Sequence, residues 1–118
     1  MEVVNLSGFA KWHSLNSIAV KDVPEEGKFV CVLQKSSTKE ILYIGGTTDL
    51  RRRLFGNYIG GVGGGTTQRI HALLFEKGAI IDTEVAWKEV TDDASEEKQL
   101  REAYFEQYGR LPPWNKQF

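Results

Sequence analysis

Apolar and polar positions divide this chain into three short strand-like runs and three helical stretches. Phe29-Val30-Cys31-Val32-Leu33 is an unbroken apolar run rich in strand formers, which predicts a buried strand. Ile41-Leu42-Tyr43-Ile44 predicts a second strand, and the seven polar residues between them suit a hairpin loop, so the two are expected to pair antiparallel. Tyr43-Ile44 runs into a glycine pair, read as a turn. Thr47, Thr48 and Asp49 then offer N-caps for a helix reaching about Tyr58. The glycine-rich stretch Gly60–Gly65 breaks that helix and reads as a flexible surface loop. Thr66 or Thr67 caps a second helix through Glu76, with Gly78 as its stop. Glu84–Val90 alternates as a half-exposed third strand, and Thr91–Ser95 supplies caps for a last helix ending near Gly109. Leu111–Asn115 reads as an extended tail.

The order strand, strand, helix, helix, strand, helix predicts an α+β domain: a small three-stranded antiparallel sheet flanked by helices. Residues 1–26 form an irregular or partly helical lead-in closed by Pro24, with Phe9 and Trp12 as packing anchors, and 27–118 form the domain proper. A chain of 118 residues fits one domain and buries roughly 65% of its unfolded surface, enough for a core without disulfide or metal staples. Cys31 is the only cysteine and reads as a small core residue. His13 and His71 show no ligand spacing. No stretch resembles a signal peptide and no apolar run reaches membrane length, so a cytoplasmic or otherwise reducing setting, with no membrane partner, is expected.

Formal net charge is −1, which does not announce a nucleic-acid binder. Its distribution changes that picture. Between Gly45 and Phe75 lie Arg51, Arg52, Arg53 and Arg69 against a single acid, Asp49, whereas acids outnumber bases nine to four from Glu76 to Glu102. A basic patch steers a polyanion even on a near-neutral protein. Arg51, Arg52 and Arg69 are candidate phosphate contacts, with a solvated helix face as the plainer reading of the first two. The glycine-rich stretch matches neither a dinucleotide fingerprint nor a P-loop, because its spacing differs and no Lys-Ser/Thr follows.

A phenol at a strand end and a guanidinium on the next helix suit work on a phosphodiester. Hydrolysis there needs an activated water and stabilisation of phosphoryl charge. Tyr43 could accept a proton from water if its pKa, ordinarily near ~10, were lowered by neighbouring cations. Arg53 could reach the phosphate with a forked donor pair.

With Tyr43-Ile44-Gly45 unchanged, Arg53 at the usual offset, an acidic helix after the third strand and a Pro-containing tail ending in Asn115, the chain resembles the GIY-YIG nuclease domains from Gly27 to Asn115. That resemblance implies a metal-dependent endonuclease acting on DNA, or on RNA, with Tyr43 as general base, Arg53 on the phosphoryl group, one glutamate holding Mg²⁺ or Mn²⁺, and Asn115 steadying the site. A helical wheel places Glu97 on the stripe of Leu100, Tyr104 and Tyr108, and Glu102 nearly opposite. Glu97 is the preferred metal ligand and Glu102, nearer the usual spacing from the asparagine, is its rival. The chain departs from the pattern twice: Phe29 stands where the first signature has a tyrosine, and Gly46 where a lysine often follows the second. The other reading is a nucleic-acid-binding domain without catalysis on the same scaffold.

Overall fold

A computed structural model describes residues 6–116; residues 1–5 of the lead-in and 117–118 of the tail lie outside it. The sheet is wholly antiparallel and has four strands rather than three: β1 (His13–Ser14), β2 (Lys28–Lys35), β3 (Ile41–Thr47) and β4 (Thr83–Val90), in the order β1-β4-β2-β3. The unexpected strand is β1. Two residues are too few to show alternation, and what makes them a strand is distant. His13 pairs with Val85, and its ring stacks on Trp87 at 5.0 Å.

Strand β2 is paired on both sides and buried through Gln34, as its apolar run demands. Strand β3 does not turn at its glycines. Gly45 pairs with Cys31, Gly46 with Val30 and Thr47 with Phe29, so the predicted turn is three further residues of ladder. These glycines serve close approach, as described below, rather than a change of direction.

The segment after β3 is a helix, but of a different kind. Thr47 Oγ1 accepts from the Asp49 N–H, and Asp49 Oδ1 accepts from the Arg52 N–H at 3.1 Å, which is the expected polar start. Arg52–Ile59 is then wound as a π-helix. Such i→i+5 winding is rare and occurs often at functional sites. Helix α1 spans Gly65–Phe75 and α2 spans Asp93–Tyr108. Asp92 caps α2 by accepting from the Ser95 N–H, and Gly109 ends it with φ +70°, a conformation glycine adopts at little cost. Short 3₁₀ turns occupy Val20–Asp22 and Ala79–Asp82.

Alternation along the strands loads both sheet faces. On one face, Phe29, Cys31, Leu33, Val85 and Trp87 meet Leu50, Leu54 and Tyr58 of the segment after β3, Ile70 and Leu74 of α1, and Leu15 and Val23 of the lead-in. On the other, Val30, Val32 and Ile44 meet Tyr104 of α2, with Phe9 and Trp12 packed alongside. Each large apolar side chain so buried contributes about 1.5–3 kcal/mol. The α2 stripe fades toward its C-terminus: Tyr104 is buried, but Tyr108 and Phe105 are exposed. Among the described residues no helix is long and apolar enough to cross a membrane.

Candidate active site

Tyr43 leaves β3 toward the side covered by the π-helix, and its ring folds along the strand over Gly45. A Cβ on Gly45 would lie 2.6 Å from the ring, so only glycine permits this pose. The ring meets Tyr58 edge to face, with centroids 5.9 Å apart and planes at 82°. Burial raises the Tyr43 pKa above its ordinary value; the side-chain hydrogen bond with Tyr58 and the charge of Arg53 act in the opposite direction, and Cys31 and Glu97 add to the rise. Burial outweighs the one guanidinium acting on the phenol, so the Arg53 charge by itself does not lower the pKa as expected. Tyr58 is itself pushed well up, first by burial. Cys31, opposite Gly45 in the ladder, is pushed to about 12 by burial and stays a thiol.

Arg53 projects from the π-helix into a cleft of about 190 Å³ lined also by Gly46, Thr47, Thr48, Asp49, Arg52, Asn57 and Asp93. Its half-buried guanidinium has no hydrogen bond or ion pair to any described residue, which leaves its five donors available. Arg52 is exposed at the same cleft. The other two candidate phosphate contacts are engaged elsewhere. Arg51 Nε donates to the Val23 carbonyl at 2.7 Å, and Arg69 donates both terminal nitrogens to the Trp114 carbonyl.

Glu97 reaches β3 from α2. Its Oε1 accepts the Gly46 N–H at 2.6 Å, and its Oε2 pairs with Arg101 one helical turn on at 2.9 Å, both side chains being largely buried. A Cβ on Gly46 would fall 2.8 Å from the Asp93 carbonyl oxygen and 3.0 Å from Glu97 Oε1. A lysine at this position would thus collide with α2, which accounts for the glycine. Glu102 is exposed on the outer face of α2, in a shallow groove with Gln99 and Phe105. Of the two glutamates, Glu97 is the one brought to the Tyr43 strand.

Asn115 lies 71 positions from Ile44 in the chain and binds it through both amide ends: the Ile44 N–H donates to Oδ1 and Nδ2 donates to the Ile44 carbonyl, each at 3.0 Å. It therefore acts on the backbone between Tyr43 and Gly45. His71 Nδ1 bonds the Tyr58 carbonyl at 2.9 Å and its ring packs on Phe75, a supporting role at the end of the π-helix. Phe29 is buried beside Thr47 in the ladder. Sequence reasoning did not single out Tyr58 or Arg101. The signals were present: Tyr58 continues the four-residue spacing of Leu50 and Leu54, and Arg101 follows Glu97 at i+4.

Among the described residues no cluster of three or more His, Cys, Asp or Glu side chains is arranged to hold a metal. The candidate ligand for a Mg²⁺-type ion is a single carboxylate, Glu97, whose two oxygens are bonded to the Gly46 N–H and to Arg101. Such ions keep several waters and take one or two carboxylates, and each Glu97 oxygen retains a lone pair beyond its present bond. No family model, no curated protein and no solved structure matches the chain.

Proposed function

We propose that this chain is a metal-dependent endonuclease of the GIY-YIG type, hydrolysing phosphodiester bonds in DNA, with RNA as the other substrate class. One observation carries the reading: Gly46, three residues along β3 from Tyr43, lines the same cleft as Arg53 of the π-helix and donates its N–H to Glu97 of α2. Arg53, whose guanidinium has no partner among the described residues, lines a polar cleft beside Arg52 and binds the phosphoryl oxygens with its fork. Tyr43, once ionised, takes a proton from the attacking water as its oxygen bonds to phosphorus. The bond to the departing nucleoside oxygen breaks, and solvent protonates that oxygen. Glu97 would hold the Mg²⁺ or Mn²⁺, which when bound would supply Lewis-acid stabilisation of the phosphoryl charge. Arg101 orients Glu97, and Asn115 holds the strand that carries Tyr43.

The test is nicking of supercoiled plasmid with Mg²⁺ or Mn²⁺, comparing wild type with Tyr43→Phe and Glu97→Gln. Cleavage lost in both variants is the expected result, and a clean wild type that never nicks sinks the reading. The burial that keeps Tyr43 protonated favours a second reading, a nucleic-acid-binding domain without catalysis. Its mark is affinity that falls with added salt while no strand is cut.

A further inference from the structure

Strand β3 is the edge of the sheet, so half of its backbone groups face no strand. The tail covers them. The Trp114 N–H donates to the Leu42 carbonyl at 2.8 Å, and the Asn115 amide takes both the N–H and the carbonyl of Ile44. These bonds fall on either side of Tyr43, so three tail contacts do the work of a neighbouring strand where the phenol is carried.

What holds the tail in place is the peptide unit joining Trp114 to Asn115. Its carbonyl accepts both terminal nitrogens of Arg69, at 3.1 and 2.7 Å. Its N–H donates to the Pro112 carbonyl at 3.0 Å. Gripped at both ends, the peptide plane cannot rotate, and the Asn115 side chain that follows is aimed at Ile44. The Trp114 ring is buried in the core and anchors the same residue from within. Arg69 is not among the residues lining the cleft of Arg53.

We propose that Arg69 is a positioning residue: it clamps the tail through the Trp114 carbonyl, and the tail in turn fixes the Tyr43 strand for the reaction proposed above, on which this inference rests. The Trp114 carbonyl takes one N–H from each terminal nitrogen, two of the five guanidinium donors, and fixes the direction in which the group points.

Arg69→Gln keeps a helix-forming side chain and removes the fork. It is expected to lower kcat about ten- to a hundredfold, as a small displacement of a reacting group does. KM and the salt dependence of DNA binding are expected to stay unchanged. Arg69→Lys, which keeps the charge without the fork, is expected to behave like Arg69→Gln. An unchanged kcat with weaker DNA binding and a salt slope reduced by about one marks a phosphate contact and overturns the proposal. Hydrogen exchange at the Ile44 amide gives a readout independent of catalysis. It is expected to quicken in Arg69→Gln and in Asn115→Ala, with the double variant no faster than the quicker single one, because both act on one contact. Ile44 exchange unchanged in Arg69→Gln overturns the clamp. A wild type that cuts no DNA refutes the nuclease reading instead, and the Ile44 amide still decides whether Arg69 holds the strand.

Discussion

The contact between Gly46 and α2 sets where Glu97 sits, and Gly46→Ala tests it. The added methyl would lie 2.8 Å from the Asp93 carbonyl oxygen, 3.0 Å from Glu97 Oε1 and 3.3 Å from the Asp93 carbonyl carbon. Two of these three atoms are backbone at the start of α2, pinned by the Asp92 cap, so no side-chain rotation relieves the overlap. The end of the helix must retreat from β3. Overpacking of this kind costs about 1–3 kcal/mol. Retreat also stretches the Gly46 bond to the Glu97 carboxylate, of a class contributing about 1.5–3 kcal/mol. Relief of one strain is loss of the other, so the two do not add, and about 2 kcal/mol is the expected destabilisation. An unfolding entropy of about 2.1 cal/mol/K per residue converts this, for 118 residues, into a fall of about 8 °C in Tm. The assay is thermal unfolding followed by circular dichroism, with Gly65→Ala as comparator. A Cβ on Gly65, the first residue of α1, meets nothing within 4 Å, so that variant should melt with wild type or slightly above it. If Gly46→Ala melts together with Gly65→Ala, α2 is not pressed against β3 and Glu97 does not sit against Gly46.

Because burial raises the Tyr43 pKa, kcat/KM for nicking should climb with pH from 7 toward its ordinary value of 10.0, and a flat profile removes Tyr43 as the base. Tyr58 is raised as well, so its contribution to stability is whole below 10.0 and is lost as pH climbs through its higher folded value; urea midpoints should drop on that alkaline limb, and Tyr58→Phe should lessen the drop. Arg53→Lys keeps the charge and loses the fork; kcat should fall at least about tenfold with Tm unmoved, and full activity would reduce Arg53 to a general positive charge. Asp92→Ala removes the α2 cap at a cost of about 1 kcal/mol, visible as a Tm lower by about 4 °C, whereas no change would mean that the helix start is held by other contacts.

The sequence by itself determined the elements whose signals are local. The apolar run of β2, the alternation of β4, the cap-rich stretch Thr91–Ser95 and the helix end near Gly109 depend on residues a few positions apart, and each element stands close to where it was expected. The wheel of α2 likewise preferred Glu97 to Glu102, since one face of a helix is a short-range property. Tertiary structure decided what depends on distant partners. Two residues became β1 because β4 lies beside them, and Gly45 and Gly46 continued the ladder because β2 pairs with them and a ring and a helix press close. The winding of Arg52–Ile59 also departs from the α period that sequence reasoning assumed. Four arginines alike in sequence were divided by which carbonyls fold within reach: Val23 takes Arg51, Trp114 takes Arg69, and Arg52 and Arg53 are left at the cleft. Only the fold set the proton of Tyr43, because a pKa follows burial and neighbouring charge, and neither exists until β2, β3, the π-helix and α2 have met.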